Sequence, residues 1–204
     1  MREKPLAAQI NLLQLNDLDE IMEIEPATYG THHWSRQSFI NELTNPSGNY
    51  FGARHPETGA LVGYSGYWLI GDEAHVTTLA VHPNYRRRKI GERLLINNII
   101  EARRAQANWL TLEVRVSNEA AQKLYFKYAF RRLGVRRRYY QDNSEDALVL
   151  WTDRLTDPQF ITMFLKRIES FDIPNVAKHV RDLFPTAASV YAEDTRPAMD
   201  RATA

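Results

Sequence analysis

The sequence predicts a mixed α/β fold: a mixed sheet flanked by helices, followed by a mostly helical or loose C-terminal extension. Three observations carry this prediction. Segments with β-type alternation and segments with apolar residues at three- and four-residue steps follow one another from Ala8 to Leu155. The stretch His75 to Leu95 passes from a β-rich run through a Pro turn and a basic loop into a helix. From Thr156 onward the pattern changes, and short apolar groupings replace the regular succession.

Taken in order, Ala8 to Leu15 alternates weakly and reads as a first strand. Asn16 and Asp17 are cap-type residues, and Leu18, Ile21, Met22 and Ile24 follow at helical spacing. Ser35 caps a second helix carrying Phe39, Ile40 and Leu43, which Asn45 to Gly48 ends. Tyr50 to Arg54 and Leu61 to Ile70 read as strands joined by the turn His55 to Gly59. Gly71 to Glu73 turns the chain into the strand ending at Val81. In the next helix Ile90, Leu94, Leu95, Asn98, Ile99 and Ala102 share one face. Trp109 to Val116 is a strand, and Ser117-Asn118 caps a helix with Ala120, Ala121, Leu124 and Tyr125. Phe130 to Tyr140 and Ala147 to Trp151 close the domain as a strand pair. The order is β-α-α-β-β-β-α-β-α-β-β, and helices between the later strands imply some parallel pairing. Beyond it, Phe160, Phe164, Leu165 and Ile168 suggest a short amphipathic helix. Val176, Val180 and Leu183 suggest another after Pro174, and Ala187 to Ala204 reads as a loose end.

A chain of 204 residues suits one domain and an appendage, and 44% hydrophobic with 11% aromatic content supplies a core. The absence of cysteine excludes disulfides, zinc fingers and thiol nucleophiles, and is compatible with the cytoplasm, the expected compartment. There is no apolar run of membrane-spanning length, and the charged opening Met1 to Pro5 lacks a following signal-type apolar region. The net charge is only +1, yet basic residues cluster at Arg86 to Lys89 and at Arg131, Arg132 and Arg136 to Arg138. Such clusters suit a phosphorylated ligand, a nucleic acid or a solvated face. His32 and His33 are adjacent and form no metal-ligand constellation, so no metal is expected.

The basic loop at Arg86 to Gly91 is the most informative feature. A strand that feeds a basic turn at a helix start presents unpaired backbone N–H groups and the positive end of the helix dipole to phosphate. The stretch Arg86-Arg-Arg-Lys-Ile-Gly91 resembles the acetyl-coenzyme A pyrophosphate loop of GNAT-family N-acetyltransferases, written Q/R-x-x-G-x-G/A, with Lys89 in place of the middle glycine. Three later segments resemble the same family in the same order: Leu112 to Asn118, Asn118 to Phe130 with Ala129 at a usual glycine, and Val135 to Tyr140 followed by Glu145 to Val149. Together with Ile24-Glu25 and Trp34-Ser35 they resemble the RimI-type subgroup, which acetylates the N-terminal alanine of a small-subunit ribosomal protein. The likeness runs from Gln9 to Leu155, so residues 8–155 are expected to form the acetyltransferase domain and residues 156–204 a partly helical extension with a flexible end.

The resemblance implies acetyl-CoA as co-substrate. It assigns the cofactor to Leu79, Ala80, Val81, Arg86, Arg87, Arg88, Lys89, Ile90, Gly91, Glu92 and Asn118, and the acceptor to Glu25, Trp34, Tyr139 and Tyr140. It makes Glu113 the general base and Tyr125 the general acid. From the residues themselves, a mid-strand carboxylate such as Glu113 can take a proton from an amine, or can be a solvated charge paired near Arg115. Tyr125, two turns beyond Asn118, can donate to a leaving thiolate or pack in the core. Asn118 is equally a helix cap, and Tyr139 and Tyr140 equally strand aromatics. The implied partner is the N-terminus of a basic ribosomal protein, with Glu23, Glu25, Glu145 and Asp146 as candidates to meet its positive charges. Other readings remain open: acetylation of lysine side chains or small amines, and a non-catalytic acetyl-CoA sensor or RNA-binding module. Direct nucleic-acid binding is not favoured, because aromatics interleave with basic residues only at Arg136 to Tyr140.

Overall fold

The computed structural model describes residues 4–169, 171, 183 and 184. The chain divides into two compact units, Met1–Leu155 and Thr156–Ala204. In the first unit the described elements are β1 (Gln9–Leu12), α1 (Leu18–Tyr29), α2 (Arg36–Leu43), β2 (Gly48–Arg54), β3 (Leu61–Ile70), β4 (Glu73–Val81), α3 (Ile90–Arg104), β5 (Trp109–Arg115), α4 (Glu119–Phe126), β6 (Phe130–Tyr140) and β7 (Glu145–Thr152). This is the order the periodicities predict.

The boundaries shift where local chemistry decides them. β1 stops at Leu12 instead of Leu15, because Leu15–Asp17 wind into a 3-10 turn closed by Gln14 and Asp17. β4 and β7 begin two residues early, at Glu73 and Glu145. Ser35 caps α2 by accepting from the Ser38 N–H at 3.0 Å, and Asn118 caps α4 by accepting from the Ala121 N–H at 3.1 Å.

Among the described residues, seven strands form one sheet in the order β1-β2-β3-β4-β5-β7-β6. Every pair is antiparallel except β4 with β5. A core cluster on the α1 and α2 side holds Leu18, Ile21, Ile24, Phe39 and Tyr64. A second cluster holds Leu6, Ala8, Ala53, Val62 and the α3 residues Ile90 and Leu94. All six residues expected on the inner face of α3 are buried, and each large apolar side chain so enclosed contributes roughly 1.5–3 kcal/mol.

Two irregularities open the sheet. The β4–β5 ladder runs only from Glu73↔Trp109 to Val76↔Leu112. Directly after Val76, the register against β3 skips Thr77, a bulge that bends β4. From there β4 continues along β3 while β5 continues along β7, so the two parallel strands diverge around a cleft.

In the second unit, α5 (Pro158–Ile168) buries Phe160, Ile161, Phe164 and Ile168, with the Phe160 and Phe164 rings stacked 5.9 Å apart. The second helix expected after Pro174, apart from Leu183, and the polar end from Ala187 lie outside the described residues.

Candidate active site in the β4–β5 cleft

The cleft holds a cavity of about 280 Å³. Its walls come from α1 and the turn after it (Glu25, Tyr29, His32, Trp34), from β4 (Val76 to Leu79) and from β5 (Leu112 to Arg115). Asn118 and Tyr125 of α4 and Tyr140 at the end of β6 complete it. One cavity thus gathers Glu25, Trp34, Leu79, Glu113, Asn118, Tyr125 and Tyr140, candidates that lie far apart in the sequence.

Glu113 sits where β5 has left β4. Its Oε1 lies 3.1 Å from Arg136 Nη1, and its side chain is 24% exposed. Its ionic partner is therefore on β6, not at Arg115 as the sequence neighbourhood suggested. Arg115 is committed to the β6–β7 turn, donating to Asp142 at 2.8 Å, Asn143 at 3.1 Å and Glu145 at 3.2 Å.

Tyr125 is buried near the end of α4, its ring 5.5 Å from that of Phe130. Burial, with Tyr29 and Tyr140 close by, pushes its hydroxyl well above the ordinary phenol pKa. Tyr125 thus stays protonated across the working pH range, the state an acid needs. Burial likewise raises the Tyr140 hydroxyl to about 12, against the lowering effect of Arg115. Tyr139 lies outside the cavity lining. Its ring meets Tyr140 edge-on at 5.2 Å and lies 5.5 Å from the Arg136 guanidinium.

Glu25 is on the inward stripe of α1 with Leu18, Ile21 and Ile24. One carboxylate oxygen accepts the Trp34 N–H at 2.8 Å and the other accepts the Tyr64 hydroxyl. Burial raises its pKa to about 7, against the Trp34 hydrogen bond and the charge of His33. The carboxyl therefore ties the α1–α2 connection to β3, and Trp34 packs on Phe39 at 5.4 Å. Two of the other acids expected to face a basic peptide, Glu145 and Asp146, are also engaged internally. Glu145 is held down to about 2, first by Ser117 and then by Arg115, and Asp146 accepts the Arg138 N–H at 2.8 Å. Glu23 is exposed on α1.

The basic loop lies apart from this cavity. Lys89 takes a left-handed conformation (φ 63°) as the residue before α3, where the resemblance puts a glycine, and Arg87 does the same at φ 64°. Ala129, the other replaced glycine, is also left-handed at φ 57°. Among the described residues Lys89 makes no side-chain cap bond to α3, which leaves the N–H groups of the first turn without that partner. Ile90 is a core side chain and has only its backbone to offer. Glu92 turns toward the Tyr128 hydroxyl at 3.1 Å and Lys127 at 3.6 Å. Arg86 folds back, its Nε donating to the Val81 carbonyl at 3.1 Å.

Gly91 tests the fit of a cofactor here. Its φ is not left-handed, and a Cβ would meet Leu79 and Val81 at 3.5 Å, an ordinary contact. The fold would thus accept a side chain here, and the absence of one leaves the helix-start backbone bare to a ligand that approaches it closely. Among the described residues the adjoining backbone of β4 after Thr77 is strand-paired only on its β3 side. Ala80 buries its side chain, so it too has only main-chain groups to present. The Leu79 carbonyl accepts the Tyr29 hydroxyl at 3.3 Å, a contact between residues 50 apart that no local sequence signal announces.

Among the described residues no group of three His, Asp or Glu side chains could hold a metal ion, and no helix is long and apolar enough to cross a membrane.

Comparison with known proteins places this geometry. The N-alpha-acetyltransferase RimI of Mycobacterium tuberculosis (strain ATCC 25618 / H37Rv) is 38% identical over 149 residues, covering 71% of this chain and 91% of the relative. The crystal structure of the ribosomal-protein-S18-alanine N-acetyltransferase from Escherichia coli superposes with a TM-score of 0.66 at 29% identity, covering 72% of this chain and 94% of that one. The fold is also that of a GNAT family acetyltransferase from Elizabethkingia anophelis with acetyl-CoA bound (TM-score 0.58, 19% identity, 72% and 98% coverage). Residues 15–130 match the Acetyltransferase (GNAT) family, and with the splayed β4–β5 cleft and the uncapped basic turn before α3 already described, this chain belongs to that family.

Proposed function

We propose that the protein transfers the acetyl group of acetyl-CoA to the free N-terminal α-amine of a ribosomal protein, with alanine as the first residue. One observation carries this reading: a single cavity joins a proton acceptor (Glu113), a protonated buried phenol (Tyr125) and an aromatic wall (Tyr140) to the free edge of β4. The Escherichia coli protein of the same fold is named for that alanine acceptor, and the Mycobacterium tuberculosis relative for α-amine acetylation.

In this reading the turn Arg87 to Gly91 and the first N–H groups of α3 hold the pyrophosphate, and the β4 edge holds the pantetheine arm. Acetyl-CoA supplies the activated acyl carbonyl. Glu113 accepts the proton that the α-amine gives up as its nitrogen bonds to that carbonyl carbon, directly or through a water. The carbon–sulfur bond breaks, and Tyr125 donates its proton to the departing sulfur. With no cysteine to carry the acetyl group, attack is direct, and positioning both reactants removes several kcal/mol of barrier. The arriving ammonium takes over from Arg136 as the partner of Glu113. The partner is a basic ribosomal protein in the cytoplasm, and nucleic acid is not itself a ligand.

A peptide array tests the proposal. Peptides with a free N-terminal alanine should be acetylated and the same peptides with a blocked terminus should not. Equal modification of a blocked, lysine-containing peptide would move the activity to lysine side chains.

A further inference from the structure

We propose that residues 4–8 form a strap that holds the phosphate-facing turn in its left-handed shape, and so positions it for acetyl-CoA. The inference rests on the reading that this turn takes the pyrophosphate.

Two L-residues, Arg87 and Lys89, occupy the left-handed region on either side of Arg88. That conformation crowds Cβ against the following carbonyl and persists only where the surroundings impose it. Among the described residues, the turn's local main-chain bonds are those closing the preceding 3-10 turn, Tyr85 N–H to His82 and Arg86 N–H to Pro83, and the first helical bond, from Arg93 N–H to Lys89.

A constraint on this shape comes from far away in sequence. The Leu6 N–H donates to the Arg88 carbonyl at 3.0 Å, between the two left-handed residues. Arg88 Nε returns a bond to the Lys4 carbonyl at 3.4 Å. The exchange is anchored by burial: Leu6 is 6% exposed and packs in one cluster with Ile90 and Leu94, the opening turns of α3, and with Leu79, Val81 and Tyr85. A glycine at position 89 would need no such support. The strap therefore does by tertiary contact what a glycine does by conformational freedom, and leaves the cationic Lys89 side chain at the phosphate turn.

The test is a double-mutant cycle read by calorimetry of coenzyme A binding, with steady-state KM values for acetyl-CoA and for an alanine-terminated peptide. Leu6→Ala should weaken coenzyme A binding by about tenfold and raise the KM for acetyl-CoA in step. The peptide KM should hold, and Leu6→Ile should restore affinity. In a Lys89→Gly background the same truncation should cost less than about twofold, because the turn no longer needs to be forced. Equal losses in both backgrounds overturn the proposal. So does a Leu6→Ala protein that melts lower yet binds coenzyme A as wild type, since the segment is then only structural. Gly91→Val separates the two claims. If it also leaves coenzyme A affinity unchanged, the turn is not the phosphate site, and that reading fails together with the strap.

Discussion

The Arg115 guanidinium stacks on the Tyr140 ring, 3.8 Å from its centroid. The same guanidinium bonds Asp142, Asn143 and Glu145, so one side chain at the end of β5 pins both the tyrosine and the turn that follows it. Tyr140 thus reaches the cavity as a held wall and not as a mobile strand terminus.

Loss of that hold should act on the acceptor. Arg115→Met should raise the KM for an alanine-terminated peptide by about tenfold, the scale of one charge-assisted, stacked contact, with the KM for acetyl-CoA unchanged. Arg115→Lys should not restore it, because an ammonium lacks the planar fork that stacks and bridges at once. Steady-state kinetics with each substrate varied in turn decides this. A rise in both KM values would place the effect elsewhere.

The two proton carriers should separate by pH and by stability. Glu113→Gln should slow single-turnover acetylation by about 100- to 10,000-fold, with partial recovery at high pH, where the amine deprotonates unaided. Tyr125→Phe removes only a hydroxyl and should melt near wild type, with a loss close to the lower end of that range, since a thiolate leaves readily. Because burial holds the Tyr125 hydroxyl protonated, that group should contribute no alkaline limb to the rate below its raised pKa. Full turnover in Tyr125→Phe would exclude the hydroxyl as the acid.

At the basic turn, Lys89→Gly should stabilise the free protein by about 1 kcal/mol, the order of a relieved left-handed residue. Coenzyme A should still bind, with a shallower salt dependence if Lys89 meets phosphate. Gly91→Val should fold, because a Cβ there meets Leu79 and Val81 only at an ordinary 3.5 Å, but should bind coenzyme A far more weakly, because the side chain blocks close approach to the backbone. Melting curves and calorimetry over a salt series measure both.

Glu25 should make stability depend on pH. Its pKa stands near 7 in the fold against 4.5 for an ordinary glutamate, so the folded state holds the proton more tightly. The stabilisation is complete below pH 4.5, fades as pH rises toward 7, and is gone above it. A difference of this size corresponds to roughly 3 kcal/mol. Glu25→Gln keeps an acceptor for the Trp34 N–H and has no charge to bury. Its melting temperature should gain on wild type as pH rises from 5 to 8, and a gap that does not change with pH would rule out the raised pKa.

The fold was legible because its elements obey simple periods. The α3 stripe and the strand alternations gave the order of elements, and Ser35 and Asn118 announced their caps. What could not be read was set by contacts distant in sequence. Glu113 meets Arg136 only because β7 lies between β5 and β6. Tyr29 meets Leu79 across 50 residues, a pairing that only the packing of α1 on β4 sets. Lys89 looked like a departure from a glycine position, and its left-handed backbone became intelligible only with Leu6 beside it. Glu25 was visible as a site residue, but its two internal hydrogen bonds, which make it a structural tie, depend on Trp34 and Tyr64.

The row of arginines on β6 has a colloidal consequence. Among the described residues β6 is an outermost strand, bonded on one side only, and Arg131, Arg132, Arg136, Arg137 and Arg138 are all exposed along it. An unpaired strand of this length is a template on which a second chain can add, and like charges on both edges oppose that step. In a protein whose net charge is only +1, this local repulsion opposes the pairing of two β6 edges more than any overall charge does. Salt screens it within about 10 Å at 0.1 M, so the barrier to self-association is lowest in concentrated electrolyte.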